Sequence, residues 1–317
     1  MKTLLSNNIN DLTHRENYGF FAWFGGYSSF DESRWLFITL FVVFFLLLFS
    51  FILFRKPIVK KYQLCEKILY MNKATFWKVS GFIALMFVLF RCLFLFMTDW
   101  PAKWESIPLH FCRLCIIAIS VLMLLNKLHL IKYVFFFCLL GGTLAVLFCD
   151  LNNNPIFQNQ NQGYPIHYGW DSYIFWDYVL AHFYVFAGSI IPFILTQEKI
   201  SKKDFLKIQA IFTSMIIFFF ILNYLTTFLP NKKWWANWFY LGISEVNTLQ
   251  DIFPPLTKWP ITFITGSVIS LIGFIPFILM YWLVSMFGVE KNDNNKYVFK
   301  IYRENSFTYF KQSKFLN

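Results

Sequence analysis

The sequence is poor in charge. Asp, Glu, Lys and Arg make up 14% of its 317 residues, and only 17 residues are acidic. A soluble domain carries about a quarter charged residues, so this chain has too little polar surface to cover itself in water. It shows no internal repeat and no strand periodicity that competes with helix. Residues 1–34 have no apolar core of about 7–15 residues, so a cleavable leader is not expected and the first apolar run should stay as a helix. Of the six cysteines, all but Cys65 lie in or at the edges of apolar runs, so an extracellular disulfide framework is not expected.

What is present is hydrophobic: 57% of all residues, with aromatics alone making up 22% of the chain. A membrane helix needs about 20 apolar residues. Seven segments qualify: Trp35–Phe54, Phe76–Thr98, Ile107–Leu125, Leu130–Cys149, Tyr173–Leu195, Ile208–Leu229 and Ile261–Phe287. The last is long enough to predict tilt or a kink near Pro276. The expected fold is an all-α membrane bundle of seven helices: an extracellular segment 1–34, a membrane domain 35–287 and a basic cytoplasmic tail 288–317. An odd helix number argues against a simple inverted duplication.

A net charge of +11 would point a soluble protein toward nucleic acid. Here the cations lie between apolar runs, where they set orientation and meet anionic headgroups. With the N-terminus outside, 19 of the 28 Lys and Arg fall in segments assigned to the cytoplasm and 7 outside. That bias predicts an extracellular N-terminus and a cytoplasmic C-terminus. The expected partners are membrane lipids rather than nucleic acid, in a plasma membrane of bacterial type. The aromatic stretch 18–30 reads as interfacial, as do the Trp and Tyr of loops 150–172 and 230–260. Asp150 closes the fourth run at the outer surface, and the tail is expected to rest on the inner leaflet or to be disordered.

Charged groups within spans are costly and face a bundle interior or a cavity. The candidates are Arg91, His110, Arg113, Asp177, His182 and Asn223, with Thr226 and Thr227 beside the last. All six fall in the outer ~15 Å of their runs at 1.5 Å per residue, which predicts one shared polar cavity. The alternative is charge satisfaction, Arg91 or Arg113 pairing with Asp177 to hold helices together. On a helical wheel His110 and Arg113 share a face, Cys112 points the opposite way from His110, and Tyr178 shares a face with His182. Cys112 and Cys115 form a CxxC. Zinc would require about four ligands, and with His110 facing away no metal site is expected. A quinone-linked thiol oxidoreductase would use a partner cysteine pair that the outer segments lack, which leaves buried inert cysteine as the plain reading. Gly141 and Gly142 read as a helix-packing site. No cofactor is expected.

Several stretches together resemble the YwaF-like integral membrane proteins of bacteria. They are Pro108-Leu109-His110-Phe111-Cys112, Leu140-Gly141-Gly142-Thr143-Leu144 running to Asp150, Ala181-His182, Asn223-Tyr224-Leu225 and Trp259-Pro260. That family is similar to a eukaryotic transmembrane acyltransferase that remodels ether phospholipids. The eukaryotic relative uses a Pro-Cys-His arrangement whose counterpart here is Pro108-Leu109-His110, so Leu109 replaces the cysteine. The resemblance implies a lipid-facing site. On residues and resemblance together, the first reading is a lipid acyltransferase or acyl hydrolase. His110 and His182 would be its bases and Cys112, or water, its nucleophile. Arg91, Arg113, Asp177, Asn223 and Tyr224 would hold the substrate. The second reading is a non-catalytic transporter or binding protein for an anionic amphiphile. The third is a structural partner of a membrane complex.

Overall fold

A computed structural model of the chain describes residues 19–21, 28–98, 100, 102–149, 168–243, 254–292, 294, 296–302 and 305–314. Asp150 lies outside them, as do most of the 18–30 stretch and of loop 150–172.

Helix α1 (Phe30–Leu53) opens on a capping box. Ser29 and Glu32 satisfy each other's backbone N–H groups, and Asp31 and Glu32 suit the positive end of the helix dipole. Most of its surface is apolar and exposed (Leu47 is 66% exposed), which in water would be an aggregation liability and in lipid is not. Helix α2 (Arg55–Leu64) follows at once, then a hairpin of β1 (Lys67–Ile68) and β2 (Met71–Asn72). Leu69 and Tyr70 turn it, both at positive φ, as a two-residue hairpin loop demands.

Helix α3 (Lys73–Met97) is started by Asn72, whose side chain accepts from Thr75 N–H. It packs tightly on α4 (Phe111–Leu124) at Gly81, where a Cβ would lie 2.6 Å from the Ser120 carbonyl oxygen. α5 (Phe135–Leu147) and α6 (Tyr173–Thr196) come next. α6 is the central post, with Phe175, Val179, Ala181, Val185 and Ser189 all at most 1% exposed. α7 (Lys202–Thr226) begins on a second capping box, Ser201 with Asp204.

The seventh apolar run is two helices, α8 (Ile261–Ile272) and α9 (Ile275–Ser285). Pro276 has no N–H to offer the Ile272 carbonyl, and its ring crowds that oxygen, so α8 ends there. Beyond it, β3 (Phe287–Lys291) and β4 (Tyr297–Ile301) pair antiparallel, and α10 (Ser306–Gln312) lays Phe307 and Phe310 on Trp282. The described part of the expected tail thus forms a hairpin (Phe287–Lys291 with Tyr297–Ile301) and a helix (Ser306–Gln312).

Among the described residues, five helical stretches are long and apolar enough to cross a membrane: Phe30–Leu53, Lys73–Met97, Lys103–Leu124, Tyr173–Thr196 and Lys202–Thr226. α5 has 13 residues where 20 were expected over Leu130–Cys149, because Leu128–Tyr133 winds as a 3-10 turn. At 1.5 Å per residue it is about 20 Å long, short of a hydrocarbon core of about 30 Å.

Candidate functional site

The intramembrane polar residues divide into two groups. In the first, Asp177 on α6 receives both arginines: Arg91 Nε from α3 at 3.0 Å, and Arg113 Nη2 from α4. Arg91 also reaches Glu105, its Nη2 lying 3.2 Å from the carboxylate and its Nη1 donating to the Glu105 carbonyl at 2.8 Å. Two cations thus face two carboxylates, and the cluster is neutral. It ties three helices and the turn Lys103–Ser106 together, and it does not line the cavity described next. Glu105 stood in an outer segment, and nothing in its spacing linked it to Arg91.

The second group lines a cavity of about 210 Å³ between α4, α5, α6, α7 and α8. His110, Cys112, Tyr178, His182, Tyr240 and Thr262 are its polar lining, and Phe111, Gly141, Leu144, Phe212 and Phe239 are among its apolar walls. Leu144 and Leu256, at its edge, are 39% and 48% exposed, so the cavity reaches the apolar flank of the bundle. The Thr262 hydroxyl is buried and has no hydrogen-bond partner among the described residues.

The helical-wheel reading of His110 does not hold. Ile107 precedes a proline and is extended, and His110 is still extended (φ −65°, ψ 144°), so α4 starts at Phe111 with His110 as its N-cap. His110 therefore points where the entering chain directs it, and it reaches the same cavity as Cys112. Its ring meets Tyr240 edge-on at 5.3 Å. The imidazole makes no cap bond, and the first-turn N–H groups of a helix have no intrahelical acceptor. Cys112 lies in this first turn, where the helix dipole favours negative charge. Cys115 turns away to Cys138 of α5. Among the described residues no group of three His, Cys, Asp or Glu could hold a metal ion.

His182 carries a legible tautomer. Its Nδ1 lies 2.6 Å from the Tyr178 carbonyl oxygen. A carbonyl only accepts, so Nδ1 holds the proton and Nε2 keeps its lone pair. Tyr178 itself donates to the Ala145 carbonyl at 2.6 Å, which fixes the ring beside the histidine.

Asn223 and Tyr224 are not in the cavity. Asn223 is fully buried, and its amide clamps a loop: Nδ2 donates to Trp238 O (2.8 Å) and Oδ1 accepts from Trp238 N (3.0 Å). Thr226 adds a bond from Ala236 N at 2.8 Å. The loop thus held carries Phe239 and Tyr240, both at positive φ (59° and 57°), into the cavity wall. Left-handed backbone at two bulky residues costs on the order of 1–3 kcal/mol each and persists only under such restraint. Tyr224 is exposed and stacks on Trp259 at 5.8 Å. Asn223→Ala strands two backbone groups of Trp238, each worth roughly 1–3 kcal/mol. It is expected to lower the thermal midpoint of the purified protein by several degrees, and an unchanged midpoint would remove the clamp from this account.

Gly141 and Gly142 serve packing. A Cβ on Gly141 would lie 2.4 Å from the Phe111 ring, and one on Gly142 2.7 Å from Phe186. Gly141 thereby sets where the first residue of α4 can rest.

The model of the TMEM164 family matches residues 27–281 of this chain. No curated protein and no solved structure gives a match.

Proposed function

The chain belongs to the TMEM164 family, and from that premise we propose that it is a membrane enzyme transferring or hydrolysing the acyl chains of lipids. The carrying observation is the convergence, in one apolar-walled cavity, of Cys112, the uncapped first turn of α4 and a histidine whose Nε2 lone pair is free. The resemblance to YwaF-like proteins and to the eukaryotic ether-phospholipid acyltransferase points the same way. The cavity's apolar edge suits entry of an acyl chain from the side.

In this reading His182 Nε2 takes the Cys112 thiol proton, and the thiolate attacks the ester carbonyl carbon. The first-turn N–H groups of α4 stabilise the oxyanion. The acyl–oxygen bond breaks, the proton on Nε2 passes to the departing lipid alkoxide, and a thioester remains. A lysolipid hydroxyl or water, deprotonated by the same nitrogen, then takes the acyl group and returns the thiol. Leu109 stands at the relative's cysteine position, and the nucleophile in this reading is Cys112, three residues on in the first turn of α4. His110, in the cavity lining, orients the ester. Arg91, Arg113 and Asp177 hold the helices, and Asn223 holds the aromatic loop. We further propose that α5 and the broken pair α8–α9 complete seven crossings, with the N-terminus outside and the site near the outer face of a bacterial plasma membrane, as the distribution of Lys and Arg favours.

His182→Ala is expected to lower lipid turnover by about 10²–10⁴-fold, with added imidazole restoring part of it and phospholipid binding retained. Turnover unchanged in that variant would exclude the histidine. Stoichiometric lipid binding with no acyl product in the wild-type protein would favour a carrier of amphiphiles.

A further inference from the structure

A second cavity, of about 310 Å³, lies toward the opposite end of the bundle. It is enclosed by the C-terminal ends of α1, α6 and α9, the first turns of α5, the start of α2, and the returning tail. Its interior is apolar, with Phe135, Leu139, Phe193 and Met280 among the lining side chains.

The rim is cationic. Arg55, Lys56 and Lys199 line it against one carboxylate, Glu198, which already faces Lys132 at 3.6 Å. Arg55 donates to the carbonyl oxygens of Ile52 (3.1 Å) and Ser285 (3.0 Å), both neutral. Lys56 stands over the Tyr302 ring at 4.8 Å, and Lys199 over Tyr309 at 5.4 Å. Among the described residues no carboxylate pairs with any of the three. Burial pulls Arg55 down from the ordinary arginine value, and only the phenols of Tyr302 and Tyr281 oppose it. This contrasts with the neutral Arg91–Arg113–Asp177–Glu105 cluster, where each cation has its anion.

Uncompensated cations at the mouth of an apolar cavity complement one class of molecule, an amphiphile with an anionic head. We propose that this cavity is a binding site for an anionic phospholipid of the adjacent leaflet. Its phosphate meets Arg55, Lys56 and Lys199, and an acyl chain runs along Phe135, Phe193 and Met280. The apolar interior is what selects a lipid over free phosphate. Tyr302, Asn305 and Ser306 form one wall, so the bound lipid also holds the β3–β4 hairpin and α10 against the bundle. The site is independent of the cavity around Cys112 and stands whether or not that cavity is catalytic.

The test uses the purified full chain in detergent, with native mass spectrometry reading bound lipid. The probes are phosphatidylglycerol, phosphatidylcholine and inorganic phosphate. Lys56→Gln with Lys199→Gln is the informative variant, since both side chains are exposed and neither forms an ion pair among the described residues. Lys60→Gln with Lys61→Gln, which removes the same charge from α2 outside the cavity, is the control. Retention of phosphatidylglycerol is expected to exceed that of phosphatidylcholine by about tenfold and to fall about tenfold in the cavity variant. The control should change it little, and millimolar phosphate should not displace the lipid. Equal retention of both lipids, equal loss in both variants, or displacement by phosphate would each overturn the proposal.

Discussion

Asp177→Ala is expected to destabilise this protein more than any other single substitution in the bundle, by about 3–5 kcal/mol. The carboxylate is buried between two guanidinium groups. Removing it leaves Arg113 without an anionic partner and Arg91 with Glu105 alone, and like charges then face each other across α3 and α4. The purified variant should lose most of its folded yield and melt far below the wild type. The accompanying prediction separates neutralisation from ligand binding. Arg91→Met, Arg113→Met and Asp177→Leu together, in a Glu105→Gln background that removes the second carboxylate, should recover much of the lost stability, because an uncharged cluster of similar volume satisfies the same space. Lipid binding at the Cys112 cavity should survive that triple change. If the triple variant folds but loses substrate, the arginines are headgroup ligands and the neutral-cluster reading is wrong.

Cys112→Ala is expected to abolish acyl transfer while leaving the fold intact, since the thiol lines a cavity and loses little packing on truncation. An enzyme without its nucleophile falls by several orders of magnitude, commonly to the level set by binding and oxyanion stabilisation alone. Cys112→Ser should be nearly as inactive, because a hydroxyl is far harder to deprotonate than a thiol. Cys115→Ala, one turn on and directed at Cys138, should change activity little. Wild-type turnover in Cys112→Ala would move the mechanism to a water nucleophile.

Much of the architecture is legible in composition alone. Long apolar runs parted by cationic segments locate the five described helices that are long and apolar enough to cross a membrane, because lipid leaves a chain few ways to satisfy its backbone. The break before Pro276 is legible in the proline itself, which lacks the N–H that would continue α8. The shortening of α5 is not, since nothing in Leu128–Tyr133 distinguishes a 3-10 turn from another turn of α-helix.

The site is legible only as a list of costly residues. Which arginine faces which carboxylate depends on how each helix is rotated about its axis, and that is settled by packing at places such as Gly81 and Gly141. The wheel placed His110 on the wrong side because it assumed helix from Ile107, and one boundary moved by four residues redirects every side chain before it. Asn223 was visible as a polar group in an apolar run. Its partner is the backbone of Trp238, fifteen residues on, in a loop whose positive-φ aromatics Phe239 and Tyr240 carry no glycine or asparagine to announce them.

The most direct measurement is intact-protein mass spectrometry after brief exposure of the purified protein to a phospholipid of defined acyl chain, quenched in acid. The expected spectrum shows one added acyl mass, located at Cys112 by peptide mapping, removed by hydroxylamine and absent from Cys112→Ala. Acyl product formed at the wild-type rate with no adduct at any time, or an adduct on a different residue, would contradict the account.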